Sequence, residues 1–174
     1  MPDSNAQTLC KACGLCCSGH LFSWVRLNAN ELDKAEALGL NVIRNDPRQR
    51  GFLQPCPVWQ SGVCTVYTSP DYPRSCAKYK CIVLRKLLDE EIDFHDAMNQ
   101  IQETLSLIRE VENLLPNASI ISFREQLITH KENLEKLDKQ KYTQTEKEFL
   151  QKAGELLNLY ESRFGVDDFI DYEK

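Results

Sequence analysis

Cys10-Lys11-Ala12-Cys13-Gly14-Leu15-Cys16-Cys17 sets four thiols into eight residues, a density that no hydrophobic core requires. Cysteines separated by two residues can turn both sulfurs toward one metal ion, with backbone N–H groups at hand to bond them. Two such pairs overlap, Cys10/Cys13 and Cys13/Cys16, and Cys17 follows directly. Gly14 permits a tight turn among them. Four more cysteines, Cys56, Cys64, Cys76 and Cys81, complete a set of eight, and none stands after them.

The later group runs through turn formers, with Pro55, Pro57, Gly62, Pro70 and Pro73 inside or beside it. This composition predicts loops, with a hairpin around Ser61-Gly62 whose strands are Val58-Trp59 and residues 63–67. Chain of this kind makes little regular hydrogen bonding, and metal cross-links are a sufficient reason for it to hold a shape. Between the two groups, residues 21–27 have the aromatic and β-branched content of a short strand. Asn28 or Asn30 can cap a helix over residues 31–39 that Gly39 ends. Residues 1–9 read as a polar, loose start and residues 41–55 as a connector.

From Cys81 onward the pattern turns helical. Ile82, Leu84, Leu87 and Leu88 begin it. Asp93 caps a longer helix carrying Met98, Ile101, Leu105, Ile108 and Leu115, and Pro116-Asn117 breaks it. Ser122 with Glu125 signals the next helix, with Phe123, Leu127, Leu134 and Leu137 as its stripe. Thr143 with Glu146, or Thr145 with Glu148, starts a last one. Phe149, Ala153, Leu156, Tyr160 and Phe164 line it and Gly165 stops it. An acidic tail from Val166 carries an apolar pair, Phe169 and Ile170. The expected fold is therefore α+β and mostly α. A small irregular cysteine-rich metal-binding module with short strands (residues 1–90) packs against a C-terminal antiparallel helical bundle (residues 91–174).

At 174 residues the chain can build an ordinary core and does not need eight cysteines merely to stay folded. The net charge of −5 divides into +3 over residues 1–90 and −8 over residues 91–174. Lys11, Arg74, Lys78, Lys80, Arg85 and Lys86 lie near the cysteines in sequence and read as partial compensation for sulfur charge. The acidic total argues against a nucleic-acid surface. No stretch has the length and apolarity of a membrane span, and residues 1–9 lack the basic start and apolar run of a secretory leader. The expectation is a soluble cytoplasmic protein, where clustered cysteines serve as metal ligands or redox groups more often than as bridges.

Three readings compete for the thiols. A disulfide framework fits the even number, but a bridge between the neighbours Cys16 and Cys17 would be strained. Zinc fits as two sites of four sulfurs each. Cys16 and Cys17 would then serve different sites, or one would be spare, because adjacent side chains diverge. An iron–sulfur cluster fits the two-by-two spacing of Cys10, Cys13 and Cys16 with a remote cysteine before proline, which Cys56-Pro57 supplies. Some metal is the stronger expectation; zinc and iron stay level on sequence.

The same residues carry a family resemblance. Cys10-x-x-Cys13-x-x-Cys16-Cys17, a strand and helix, Cys56, and Cys64-Thr-Val-Tyr67 leading to Pro73-Arg-Ser-Cys76-x-x-x-x-Cys81 resemble the CxxCxxCC cysteine-cluster family. That family is described as a zinc- or iron-chelating domain with eight cysteines. The resemblance covers residues 10–81 and implies that Cys10, Cys13, Cys16, Cys17, Cys56, Cys64, Cys76 and Cys81 are all metal ligands. Tyr72 stands where the family carries an arginine. The implied role is structural or regulatory. The alternative is a redox or S-adenosylmethionine-dependent protein-modifying enzyme, since flagellin lysine methylases share the cluster. No strand-then-glycine-loop for a methyl donor is visible in this chain.

Among other residues, His20 stands three positions after Cys17 and reads as a loop residue before it reads as a ligand. His95 and His130 fall on helices and read as surface positions. Trp24, Trp59, Tyr67, Tyr72 and Tyr79 read as an apolar shell that limits water around a metal. Glu110/Glu112 and Asp167/Asp168 read as solvated faces, and no catalytic nucleophile is arranged with a base. The amphipathic helices of the second half read as core, with a surface that can receive a protein partner.

Overall fold

Helix α1, Asn5–Cys13, begins where the sequence suggested a loose start. Ser4 caps it, and Gln7 reaches back to the Ser4 N–H, so each end of this box satisfies an otherwise orphaned backbone donor. Leu9 anchors the helix in the core. The polar composition of residues 1–9 concealed the box, which needs only two side chains. The structure is a computed structural model, and it describes residues 3–116 and 121–166. Asn117, Asp167, Asp168, Phe169 and Ile170 lie outside the described residues.

Three short strands follow in the order β1-β3-β2: β1 is Trp24–Arg26, β2 Val42–Ile43 and β3 Gly51–Leu53, all antiparallel. The segment expected to be a connector thus supplies two of the three strands, including the central one. Gly51 is the reason a strand fits there. A Cβ at that position would lie 1.9 Å from the Val25 carbonyl oxygen, so only glycine allows the backbones this close. Between β1 and β2, Asn28 and Glu31 cap a short 3-10 turn that leads into α2, Leu32–Ala37. The hairpin at Ser61-Gly62 is present as expected, with strands trimmed to β4, Trp59–Gln60, and β5, Val63–Cys64.

Two short helices complete the cysteine-bearing region: α3, Arg74–Lys78, and α4, Ile82–Leu88. The long helices begin at the caps read from the sequence. Asp93 caps α5, Phe94–Leu114; Ser122 caps α6, Phe123–Glu135; Thr143 and Glu146 form the box that starts α7, Gln144–Leu159. A π-helical turn over Tyr160–Phe164 continues α7 to Gly165. The architecture is α+β and mostly α, with small antiparallel sheets.

Two apolar cores hold these elements. The larger one gathers Ile101, Ile108, Leu127, Phe149, Leu156 and Tyr160 from the long helices, with Leu9, Leu15, Leu21 and Val83 from the cysteine-bearing part. It therefore runs across the change of composition near residue 90. The smaller core is six buried residues, Leu27, Leu32, Ala35, Leu40, Phe52 and Val58, around the three-stranded sheet. Leu137, expected on the α6 stripe, is exposed beyond the end of that helix.

Candidate metal centre

All eight cysteines are free thiols, and Cys10 alone among them is exposed. Local folding sets their positions. Cys10 and Cys13 lie in the last two turns of α1, three residues apart and so on one face. Gly14 ends the helix in the left-handed conformation at φ 63°, and the Trp59 ring closes over it; a Cβ there would stand 2.5 Å from the ring. The chain then turns through Leu15, which is buried, to Cys16 and Cys17. Cys64 ends β5, Cys76 sits within α3, and Cys81 is the N-cap of α4.

The sulfurs influence one another in two overlapping groups. Burial pushes the Cys13 thiol up to about 12, against the Leu15 N–H, and Cys81, Cys10 and Cys17 add to the rise. Burial carries Cys16 well above the ordinary thiol range, reinforced first by Cys13 and then by Cys81. Burial and then Cys81 raise Cys10. Cys10, Cys13, Cys16 and Cys81 form the first set. Burial pushes Cys17 up to about 12, with Cys56 and Cys64 as its strongest sulfur neighbours and Cys10 after them. Burial also lifts Cys76 to about 12, followed by Cys17, Cys56 and Cys64. Cys17, Cys56, Cys64 and Cys76 form the second set. The peptide bond between Cys16 and Cys17 joins them, and for that reason Cys17 also feels members of the first.

Backbone donors support the sulfurs. The Leu84 N–H donates to Cys81 Sγ at 3.4 Å. N–H groups of Val58 and Trp59 oppose the rise of Cys56, as that of Leu15 does for Cys13. Such donors stabilise a thiolate over a thiol. One tyrosine attends each set. Burial raises Tyr79, followed by Cys16, Cys81 and Cys13, and burial raises Tyr72, followed by Cys76, Cys64 and Cys17. Tyr79 packs edge-on against Phe22 and donates its hydroxyl to the Phe164 carbonyl at 2.5 Å, while Tyr72 packs against Tyr67. Of the cations near the cysteines in sequence, Arg85 eases the rise of Cys81, and Lys11 turns away to Asp3 at 2.6 Å.

The donor chemistry fits a thiophilic cation. Partly buried thiols fronted by N–H groups are poor thiolates alone and good ones around a positive ion. The spacing adds a constraint. Among the described residues, the trio whose ligand atoms all lie within 4.8 Å of one another is Asp93, His95 and Asp96, so no three cysteine sulfurs stand that close. Sulfurs bound to a single zinc ion at about 2.3 Å would lie roughly 3.8 Å apart. The exposed trio itself is a helix start, in which Asp93 accepts the Asp96 N–H at 2.8 Å; its signal, Asp93-x-His95-Asp96, was in the sequence but read only as a cap.

His20 has both ring nitrogens engaged, Nδ1 with Ser18 Oγ at 2.6 Å and Nε2 with Glu112 Oε1 at 2.8 Å, and its ring lies 4.7 Å from that of Phe123. It is a strut from the cysteine turn to α5 and α6. Sequence could not pair residues 92 positions apart. His130, expected at the surface, is half-buried with its ring 4.6 Å from Phe149. A groove lined by Leu115, Pro116, Ile121 and His130 lies at the far end of α5 from α4 and includes no cysteine. Compared with protein-family models, with curated proteins and with solved structures, the chain matches none.

Proposed function

We propose that the chain is a metal-binding protein with two sulfur-ligated centres, one held by Cys10, Cys13, Cys16 and Cys81 and the other by Cys17, Cys56, Cys64 and Cys76. The observation that carries this reading is that the fold brings the later cysteines to the first run: the Cys56 N–H donates to the Cys17 carbonyl at 2.7 Å, and α4, which Cys81 caps, packs on α1, which carries Cys10 and Cys13. Hydrophobic packing alone has no reason to gather eight cysteines, whereas four thiolates complete a zinc or iron–sulfur centre. The resemblance to the CxxCxxCC cysteine-cluster family points the same way.

Four thiolates suit zinc and an iron–sulfur cluster alike. The group would supply cross-linking and, as an iron–sulfur cluster, electron storage. The chain's own part is to bury the sulfurs, aim N–H groups at Cys13, Cys56 and Cys81, and screen them with Tyr72, Tyr79 and Trp59. With every position filled by protein, the role of a centre is structural or regulatory.

Purification without oxygen, followed by assay of iron, acid-labile sulfide and zinc, tests the reading. The account predicts either about one zinc ion for every four thiols, or iron with sulfide and a visible absorption band that dithionite bleaches. A protein that takes up neither metal would overturn the proposal.

A further inference from the structure

We propose that Ser18 is a nucleophilic serine, activated by His20 and Glu112, that takes the acyl group of a small carboxylic ester. No cysteine takes part in the reaction, so the proposal stands or falls apart from the two-centre reading.

Three side chains form a continuous relay. Ser18 Oγ lies 2.6 Å from His20 Nδ1, and Glu112 Oε1 lies 2.8 Å from His20 Nε2. The direction of the protons follows from the groups themselves. A carboxylate only accepts, so in the neutral ring the hydrogen sits on Nε2. Nδ1 is then an acceptor, and the Ser18 hydroxyl donates to it. A second acceptor, the Leu15 carbonyl, stands at 3.5 Å, too far to compete for the one proton. A hydroxyl aimed at an imidazole whose other nitrogen a carboxylate holds is the arrangement that activates a serine. Sequence spacing shows no such nucleophile, because Glu112 stands 92 positions from His20.

Each member is fixed by packing of its own. Gly19, between Ser18 and His20, holds φ 82°, and a Cβ there would meet Ser122 Cβ at 3.2 Å and the Pro55 nitrogen at 3.3 Å. The Gly19 carbonyl accepts the Arg124 N–H at 3.0 Å, and the Ser18 N–H donates to the Gly14 carbonyl at 3.0 Å. The His20 ring lies 4.7 Å from that of Phe123. Glu112 comes from α5, the long helix packed on α7. A relay held by three elements needs no reordering when a substrate arrives. It also reaches solvent: Glu112 is exposed, and Ser18 and His20 are half-buried, so a small ester can approach. A tether to α5 requires only the bond from His20 to Glu112; the short bond from Ser18 makes the second nitrogen a base.

The reaction balances without a redox partner. Ser18 Oγ bonds the carbonyl carbon of the ester while its proton passes to His20 Nδ1. The ester C–O bond then breaks, and that proton leaves with the alcohol. Water, deprotonated by the same nitrogen, attacks the acyl-serine, releases the carboxylic acid and restores the Ser18 hydroxyl.

Diisopropyl fluorophosphate is the probe, because its adduct with an activated serine does not turn over: the Oγ–P bond forms, the P–F bond breaks and the proton leaves with fluoride. The whole chain, purified without oxygen, should gain an adduct that peptide mass spectrometry places on Ser18, and Ser18→Ala should gain none there. Glu112→Gln separates a relay from a tether. The glutamine oxygen still accepts from Nε2, so thermal unfolding should be unchanged, while loss of the charge should slow labelling of Ser18 about tenfold or more. His20→Asn should slow it roughly a hundredfold. A folded wild type that gains no adduct on Ser18 would overturn the proposal. So would equal labelling rates in wild type and Glu112→Gln, which would leave His20 as a tether alone.

Discussion

The backbone N–H of Cys56 donates to the carbonyl of Cys17 at 2.7 Å, tying the end of the first cysteine run to the start of the second. This bond brings the loop-borne cysteines to the turn that follows α1. Cys56 packs against the small core of Leu27, Leu32, Ala35, Leu40, Phe52 and Val58. Removing metal should therefore loosen residues 23–79 first, while α5 and α7, packed on each other in the larger core, stay formed. Hydrogen exchange followed by mass spectrometry, with and without a strong chelator, reads this directly. Equal loss of protection in both regions would contradict it.

Gly14→Ala should be costly for two separate reasons. The residue holds φ 63°, and the new Cβ would meet the Trp59 ring at 2.5 Å. The left-handed conformation costs roughly 1–2 kcal/mol for an L residue and overpacking typically about 1–3 more. Denaturant unfolding of the loaded protein should show a lowered midpoint, with metal content falling in parallel. An unchanged midpoint would mean that Trp59 does not seal the cysteine turn.

Tyr160→Phe should leave stability unchanged or raise it by about 1–2 kcal/mol. The ring is fully buried, its hydroxyl has no hydrogen-bond partner among the described residues, and Arg124 sits 5.7 Å from the ring centre, a contact that phenylalanine retains. Thermal unfolding checks this. A clear loss of stability would show that the hydroxyl is bonded in solution, for instance through water.

His130 should make the protein weaker in mild acid. Burial against Phe149 holds its pKa below the usual 6.5, with Glu146 opposing in part. The unfolded chain then takes up the proton first as pH falls. This contribution is complete above about 6.5 and is lost as pH drops through the lower folded value. His130→Gln should flatten the stability profile between pH 7 and about 5, the interval in which a histidine changes charge. An unaltered slope would contradict the assignment.

The helical half was legible because its signals are local. Asp93, Ser122 and Thr143 cap where their side chains can bond the next turn, and Phe149, Ala153, Leu156, Tyr160 and Phe164 share one face by periodicity alone. The cysteine-bearing half was less legible as structure. Its central strand depends on Gly51 lying against Val25, a contact 26 residues apart in sequence that no pattern within residues 41–55 announces. The proposed partition of the thiols draws on both sequence and fold. Adjacency argued that Cys16 and Cys17 diverge, but which later cysteine joins which set depends on tertiary placement: Cys81 at the start of α4, Cys76 in α3. The His20–Glu112 strut lay beyond reach for the same reason.

The most direct measurement is the metal content of Cys16→Ser, Cys17→Ser and the double variant, each purified without oxygen and compared with wild type. Two centres that divide at this peptide bond predict that each single variant loses about half of the metal and the double variant nearly all. Retention of chelator resistance should also differ between the two singles, since Cys16 packs against the larger core. Equal metal in all four proteins, or complete loss on either single substitution, would contradict two separate four-thiol centres.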